Sequence, residues 1–298
     1  MARNPIQFGK GLSLSEFQEH YGKEEQCREA IVAWRWPTGF VCPACGCRKQ
    51  TSVIAGTVFE NSLLPLTKWF QAMWLITQSK NSISTLELSR QIGVKWDTAW
   101  RLRQKLASVI AEVEARRSFQ GRIEMDDAVL GGERSEADGG KRGRGGANKV
   151  PFVVAVETTA EGRPRRVLIH LVERHDSAAI EAMARDHFVA GTHVVSDGLG
   201  CFRAVTRGGA THTPIVSARQ PQQPEKIPAL KWVNTLLGNL KTAVTGTHKA
   251  IRRPYVQRSF AEFQFRFNGR HDLPGLFTTL LAAAAVGQPR THAAIRLA

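Results

Sequence analysis

Three apolar, β-branched runs in close succession constrain this chain more than any other feature. Arg122 to Leu130, Phe152 to Glu157 and Arg166 to Val172 read as strands. The first stops at Gly131-Gly132, and Glu161-Gly162 between the other two is a hairpin signal. Ser177 to His187 then takes up a helical period, His193 to Ser196 is a short strand halted by Asp197-Gly198, and Leu230 to Val244 is helical again. Such a succession buries its apolar faces only as α/β layers around a mixed sheet. The domain built this way is expected over residues 118–272, with residues 273–298 as a small tail.

Upstream the pattern changes. Residues 61–117 read as helical, with Leu66 to Thr77 placing Trp69, Phe70, Met73 and Leu75 mostly on one side. Ser82-Ile83-Ser84 offers N-caps for a helix through Gln91, Gly93 breaks it, and a basic helix follows from about Trp96 to Val113. Helix, glycine turn and second helix form the helix-turn-helix layout. Lys95, Arg101, Arg103 and Lys105 on the second helix are then placed to meet phosphates and base edges, although a plain helical hairpin with a solvated basic face has the same pattern. Residues 12–60 hold short helical pattern and a cluster of Cys42, Cys45 and Cys47.

Charge narrows the partners. Forty-one Lys and Arg against 26 Asp and Glu leave a formal charge of +15. Such an excess favours polyanions, since each basic group set on a phosphate releases condensed counterions. Membrane partners fit poorly: no apolar run approaches the ~18 residues that span a bilayer, and no helix with one basic face stands out. The N-terminus lacks the apolar core of a secretory signal, and the cysteine spacing is not a disulfide framework. A soluble, cytoplasmic, nucleoid-associated protein is expected. The glycine-rich loop carrying Lys141, Arg142 and Arg144 suits either DNA contact or a flexible linker.

Two acids carry the chemistry. Asp126 lies in the first strand and Asp197 ends a later one, and open α/β sheets present their ligands at strand ends. Paired carboxylates there suit hard divalent cations, which phosphodiester chemistry uses to activate the attacking oxygen and stabilise the leaving one. Alternation alone leaves Asp127 as eligible as Asp126, and Asp197-Gly198 also reads as an ordinary turn. On the helix from Leu230, Asn234 and Lys241 are seven residues apart and share a face, so an amide oxygen can ligate a metal while the lysine holds a phosphate. His248 follows closely enough to extend that surface.

Several motifs carry a resemblance. The run Arg35-Trp36-Pro37-Thr38-Gly39-Phe40-Val41-Cys42-Pro43-Ala44-Cys45-Gly46 is similar to the entry of the zinc ribbon in ISXO-type insertion-sequence transposases. Pro65-Leu66-Thr67-Lys68-Trp69-Phe70, Leu88-Ser89-Arg90-Gln91, Lys231-Trp232-Val233-Asn234-Thr235 and Phe265-Arg266-Phe267-Asn268-Gly269-Arg270 follow in the same order over roughly residues 12–272. The resemblance implies an RNase H-like catalytic domain behind a zinc-ribbon-like segment (12–60), with the helix-turn-helix region read from the helical pattern (61–117) between them. It implies a catalytic and Mg²⁺- or Mn²⁺-binding set of Asp126, Asp197 and Asn234 with Lys241 as basic partner, Asn239 being the rival third position. The implied activity is cleavage at element ends and strand transfer into target DNA, by a homo-oligomer on terminal inverted repeats. The ribbon departs from the family's two Cys-x-x-Cys pairs: Cys47 comes at once after Cys45, so Zn²⁺ on Cys42, Cys45 and Cys47 lacks a ligand and the ribbon reads as degenerate. That departure keeps a second reading open, an impaired relic that only binds DNA.

Overall fold

The computed structural model describes residues 9–42, 45–47, 52–131, 149–215, 228–248 and 251–297. Contacts divide the chain into two units, residues 1–115 with 245–298, and residues 116–244. Helices α1 (Leu14–Tyr21), α2 (Glu24–Arg35), α3 (Leu66–Gln78), α4 (Thr85–Ile92) and α5 (Trp96–Ala115) open the chain. Strands β1 (Arg122–Leu130), β2 (Val150–Thr158) and β3 (Pro164–Leu171) precede α6 (Ser177–His187), β4 (His193–Asp197) and β5 (Thr211–Ile215). Helices α7 (Lys231–Thr247), α8 (Arg253–Asn268), α9 (Leu273–Val286) and α10 (His292–Leu297) close it.

In the helical unit, local signals act where the sequence puts them. Ser84 caps α4, its hydroxyl accepting from the Glu87 N–H at 3.1 Å. Gly93 ends α4 at a φ of 67°, a left-handed conformation that a side chain would strain, and α5 starts three residues later. The C-terminal segment differs from expectation. Residues 273–298 are not a tail: α9 is apolar around most of its circumference, a composition suited to a surrounded helix. Its Leu276, Phe277, Leu280 and Leu281 are buried in one core with Phe17, Ile31, Phe70 and Ile110. Helix α8, expected within the catalytic domain, packs along α5, where Gln264 and Asn268 donate to Glu114 at 3.0 and 2.8 Å. Its aromatic residues serve the helical core, and the compact unit around the sheet runs over residues 116–244.

The second unit is built on a five-stranded mixed sheet in the order β3-β2-β1-β4-β5. β1, β2 and β3 are antiparallel neighbours, and β4 and β5 run parallel to β1. This is the α/β class and the mixed sheet expected from the sequence. β5 was not foreshadowed: Thr-His-Thr-Pro-Ile has no apolar alternation, and a proline is tolerated there because the strand lies at the sheet edge. On one face Ile123, Met125, Val153, Ala155 and Leu168 pack with Ile180 and Met183 of α6 and with Phe202 of a 3₁₀ turn at Gly200–Thr206. By alternation Glu124 and Asp126 point to the other face with their partners Val156 and Val154. No helix among the described residues is long and apolar enough to cross a membrane.

His170 makes this unit acid-sensitive. Its ring meets that of His187 edge-on at 5.5 Å, and burial first, then His187, pushes its pKa down to about 4 against the opposing pull of Asp186. The unfolded chain takes up this proton near 6.5 and the folded chain only near 4, so falling pH favours unfolding across that window and not below it. The part of the melting temperature that His170 sets is expected to fall from pH 6.5 to pH 4 and no further. His170→Asn should shrink that drop; an identical pH profile in the variant would remove His170 as its source.

Candidate active site

The site lies where β4 parts from β1. Their parallel pairing ends at Met125 opposite Ser196, so Asp126 and Asp197 are the next residues on adjacent strands. Continuing the register places both on the face that carries Glu124 and Val195. One carboxylate oxygen from each of Asp126, Asp127 and Asp197 lies within 4.8 Å of the others. Beyond Met125 β1 stays paired to β2, which holds Asp126 rigidly through its partner Val154. Asp197 is fixed by its own turn, Oδ1 accepting from the Leu199 N–H at 3.2 Å.

Asp127 joins the cluster from the other direction. Its side chain is 4% exposed and its Oδ2 is 3.8 Å from Nδ1 of His175, whose Nε2 donates to the Phe152 carbonyl at 3.2 Å. Asp126 Oδ1 accepts from the Asp127 N–H at 2.8 Å, which draws the two carboxylates together although strand alternation would separate them. Cys201 lies half-buried nearby, its thiol pushed up by burial and then by Asp127, so it stays protonated at neutral pH. Neither His175 nor Cys201 stands out in the sequence, because neither follows a motif or a period.

Glu124 is a further residue that sequence reasoning missed. It is 2% exposed, and its Oε2 accepts from the N–H groups of Trp232 and Val233 at 2.7 and 3.1 Å. A strand carboxylate therefore caps α7, satisfying orphan donors and complementing the positive helix end. Arg122 supports it, donating to Glu124 Oε1 at 3.0 Å and to the Ala229 carbonyl at 2.8 Å. The indole of Trp232 donates to Gly162 in the β2–β3 hairpin at 2.6 Å. Asn234 thus follows directly on a helix start pinned two strand residues from Asp126. Its Nδ2 donates to the Leu230 carbonyl at 3.0 Å. Asn234 and Lys241 are both exposed on α7. Glu124→Ala is expected to cost about 2–4 kcal/mol by orphaning two buried donors and Arg122. Denaturant unfolding of the variant at wild-type stability would remove this anchoring role.

The basic residues separate into two groups. Lys95 and Arg101 are exposed near the start of α5. Arg103 is not a surface contact: it is 3% exposed and paired with Glu262 at 2.7 Å, because its position on α5 faces α8. Lys105 is also tied down, its Nζ donating to the Val58 carbonyl at 3.1 Å over the ring of Trp69, and burial lowers its pKa. His248 is half-buried with Nε2 3.3 Å from Arg103, and burial, then Arg103, lowers it to about 4, so it is neutral rather than a phosphate-binding cation. Lys141, Arg142 and Arg144 lie outside the described residues.

Cys42, Cys45 and Cys47 do converge, their sulfurs all within 4.8 Å. The turn closes through Cys42 N–H on the Cys47 carbonyl and Gly46 N–H on that of Cys42, both 2.8 Å, with Gly46 at a φ of 68°. Cys27 takes no part: it is fully buried in the helical core and its thiol donates to the Tyr21 carbonyl. The trio offers three soft ligands of the four in a tetrahedral zinc site, and no fourth His, Cys, Asp or Glu joins it among the described residues. The acidic trio offers the hard oxygens that Mg²⁺ or Mn²⁺ prefers.

Residues 118–268, about half of the chain, match the model of the ISXO2-like transposase domain. The chain belongs to that family. Residues 22–60 match the transposase zinc-ribbon domain. A curated relative, "Uncharacterized protein in transposable element ISH50" of Halobacterium salinarum, is 26% identical over 170 residues, covering 46% of this chain and 56% of the relative. The chain thus spans little more than half the length of that relative. Among solved structures, a simian T-cell lymphotropic virus intasome in complex with PP2A regulatory subunit B56 gamma aligns with a TM-score of 0.31 and 15% identity, over 61% of this chain and 64% of that one. The Mos1 mariner paired end complex with Mn aligns at 0.21 and 12%, over 89% and 99%. The two matches account for a cysteine segment ahead of a sheet domain.

Proposed function

We propose that this chain is the DNA transposase of an insertion sequence, cutting at element ends and joining the freed strand to target DNA. The observation that carries the reading is the convergence of Asp126 and Asp197 at the parting of β1 and β4, in a chain of this family. Asp126, Asp197 and the Oδ1 of Asn234 would hold the divalent ion, Mg²⁺ or Mn²⁺, with Asp127 beside them. When bound, the ion supplies Lewis-acid stabilisation of the charge that develops on the phosphoryl group.

The chain's own residues orient the two displacements. In the first, water attacks the phosphorus at the element end, the P–O3′ bond breaks, and a free 3′-hydroxyl and a 5′-phosphate result. In the second, that 3′-hydroxyl attacks a target phosphodiester and displaces another 3′-oxygen. Lys241, on the same face of α7 as Asn234, holds a phosphate beside the reacting one, and Glu124 fixes the helix that presents both. Lys95 and Arg101 hold duplex DNA. The protein acts in the cytoplasm, on the nucleoid, as a homo-oligomer that pairs element ends.

An assay with labelled terminal repeats, supercoiled target and Mg²⁺ or Mn²⁺ tests this reading, joined product being the expected result. Binding without cleavage in either metal would favour the impaired relic, which the three-cysteine cluster and the neutral Asn234 support. Cleavage without joining would reduce the assignment to a nuclease.

A further inference from the structure

The helical unit contains a second feature that the strand-transfer chemistry does not use. A cleft of about 840 Å³ opens beside α5 and is walled by rings and guanidinium groups. Trp96, Trp100 and Arg103 recur at helical spacing along one face of α5, and all three line it. Tyr255 of α8 and His292 of α10 meet Trp100 at 5.8 and 6.2 Å with ring planes at 89° and 79°. Perpendicular packing of this kind holds the rings as fixed walls and leaves faces available for another flat group. Trp96, which also lines the cleft, is 49% exposed, so its indole is accessible to a flat ligand.

The charge of the lining selects among occupants. Arg101, Arg252 and Arg296 line the cleft and are exposed, against the single carboxylate of Asp97. At the buried end, Nε of Arg103 has no hydrogen-bond partner among the described residues. Flat rings alone would suit many apolar ligands, and guanidinium groups alone would suit any anion. Together they fit a ligand that is both a π-surface and a phosphodiester. A cavity of this size takes a small-molecule-sized group, and a base-paired duplex keeps its base faces stacked out of reach.

We propose that this cleft binds an unpaired nucleotide of a DNA single strand, stacked on Trp96 and Tyr255, with Arg252 and Arg296 on the flanking phosphates. The inference rests on the reading of the chain as a DNA-processing enzyme, whose cut ends supply single-stranded segments. It adds a recognition mode, strand capture by stacking, to the duplex contacts of Lys95 and Arg101.

Fluorescence anisotropy of the full chain with short single-stranded and duplex oligonucleotides tests it. Trp96→Ala is expected to weaken single-strand binding by roughly tenfold, the loss of one stacked base, while duplex binding changes by less than about twofold. Trp96→Phe should recover most of the loss. Arg252→Ala, at an exposed position, should lower the salt slope for the single strand by about one phosphate contact. An equal loss on both DNAs, no loss on the single strand, or wild-type protein that binds duplex but not single strand would overturn the cleft and leave the transposase reading standing. Wild-type protein that binds neither DNA would overturn both.

Discussion

Asp126→Asn, which keeps size and fold, is expected to lower cleavage and joining by at least about a thousandfold while DNA binding stays within a few-fold of wild type. An amide in place of a carboxylate removes one negative charge from the proposed cation site. Asp126 is held through β1–β2 pairing and Asp197 by its own turn. The loss expected is the scale seen when a preorganised stabiliser of transition-state charge is removed. Asp197→Asn should behave alike. The informative contrast is Asp127→Asn. Its carboxylate is covered and faces His175, so its loss should act through the geometry of its neighbours and cost less activity than Asp126→Asn. Single-turnover cleavage at saturating Mg²⁺ measures all three. Higher Mn²⁺ should partly rescue Asp127→Asn and not Asp126→Asn. The reverse order, with Asp127→Asn dead and Asp126→Asn active, would move the ligand assignment to Asp127.

Why the sequence left those two residues open is itself physical. Period-two alternation places Asp126 and Asp127 on opposite faces but cannot say which face is the site. The register sets Asp126, which follows Met125 opposite Ser196, beside Asp197 on the neighbouring strand, while the Asp127 carboxylate reaches the same cluster. Strongly patterned elements were legible in full, β1 and α6 to the residue, because apolar alternation and helical period persisted over their whole length. β5 was not, since an edge strand needs no apolar alternation. The C-terminal helix was misread for the opposite reason: α9 is apolar on nearly every side, so it has no period to detect, only a composition. Glu124 was invisible because a carboxylate that caps a helix more than a hundred residues away leaves no local signature. The basic residues of α5 illustrate a limit of charge counting. Four cations over residues 95–105 suggested a DNA face or a solvated one, and helical geometry distributed them between solvent and core.

That distribution predicts opposite phenotypes for Arg101 and Arg103, only two residues apart. Glu262 is fully buried in the helical unit, where it accepts from Arg103 at 2.7 Å, from Arg266 at 2.8 Å and from the hydroxyl of Ser82. Burial pushes its carboxyl up, but Arg103, Arg266 and Ser82 together outweigh this and hold it below the ordinary value. Arg103→Ala loses a buried charge-assisted hydrogen bond but keeps the Glu262–Arg266 pair, at about 1.5–3 kcal/mol, whereas Glu262→Gln leaves two guanidinium charges without a carboxylate, a change that costs about 3–5 kcal/mol. In a unit of this size that is a melting-point loss of roughly 10 °C or more. Arg101→Ala touches none of this, so its stability should stay within about 0.5 kcal/mol of wild type. Its effect belongs in the DNA titration, where the salt slope should fall by about one. Thermal melts and salt-dependent binding on the same preparations separate the two. A stable Arg103→Ala with weakened duplex binding would return Arg103 to the DNA surface, and with it the reading of α5 as a uniformly basic recognition face.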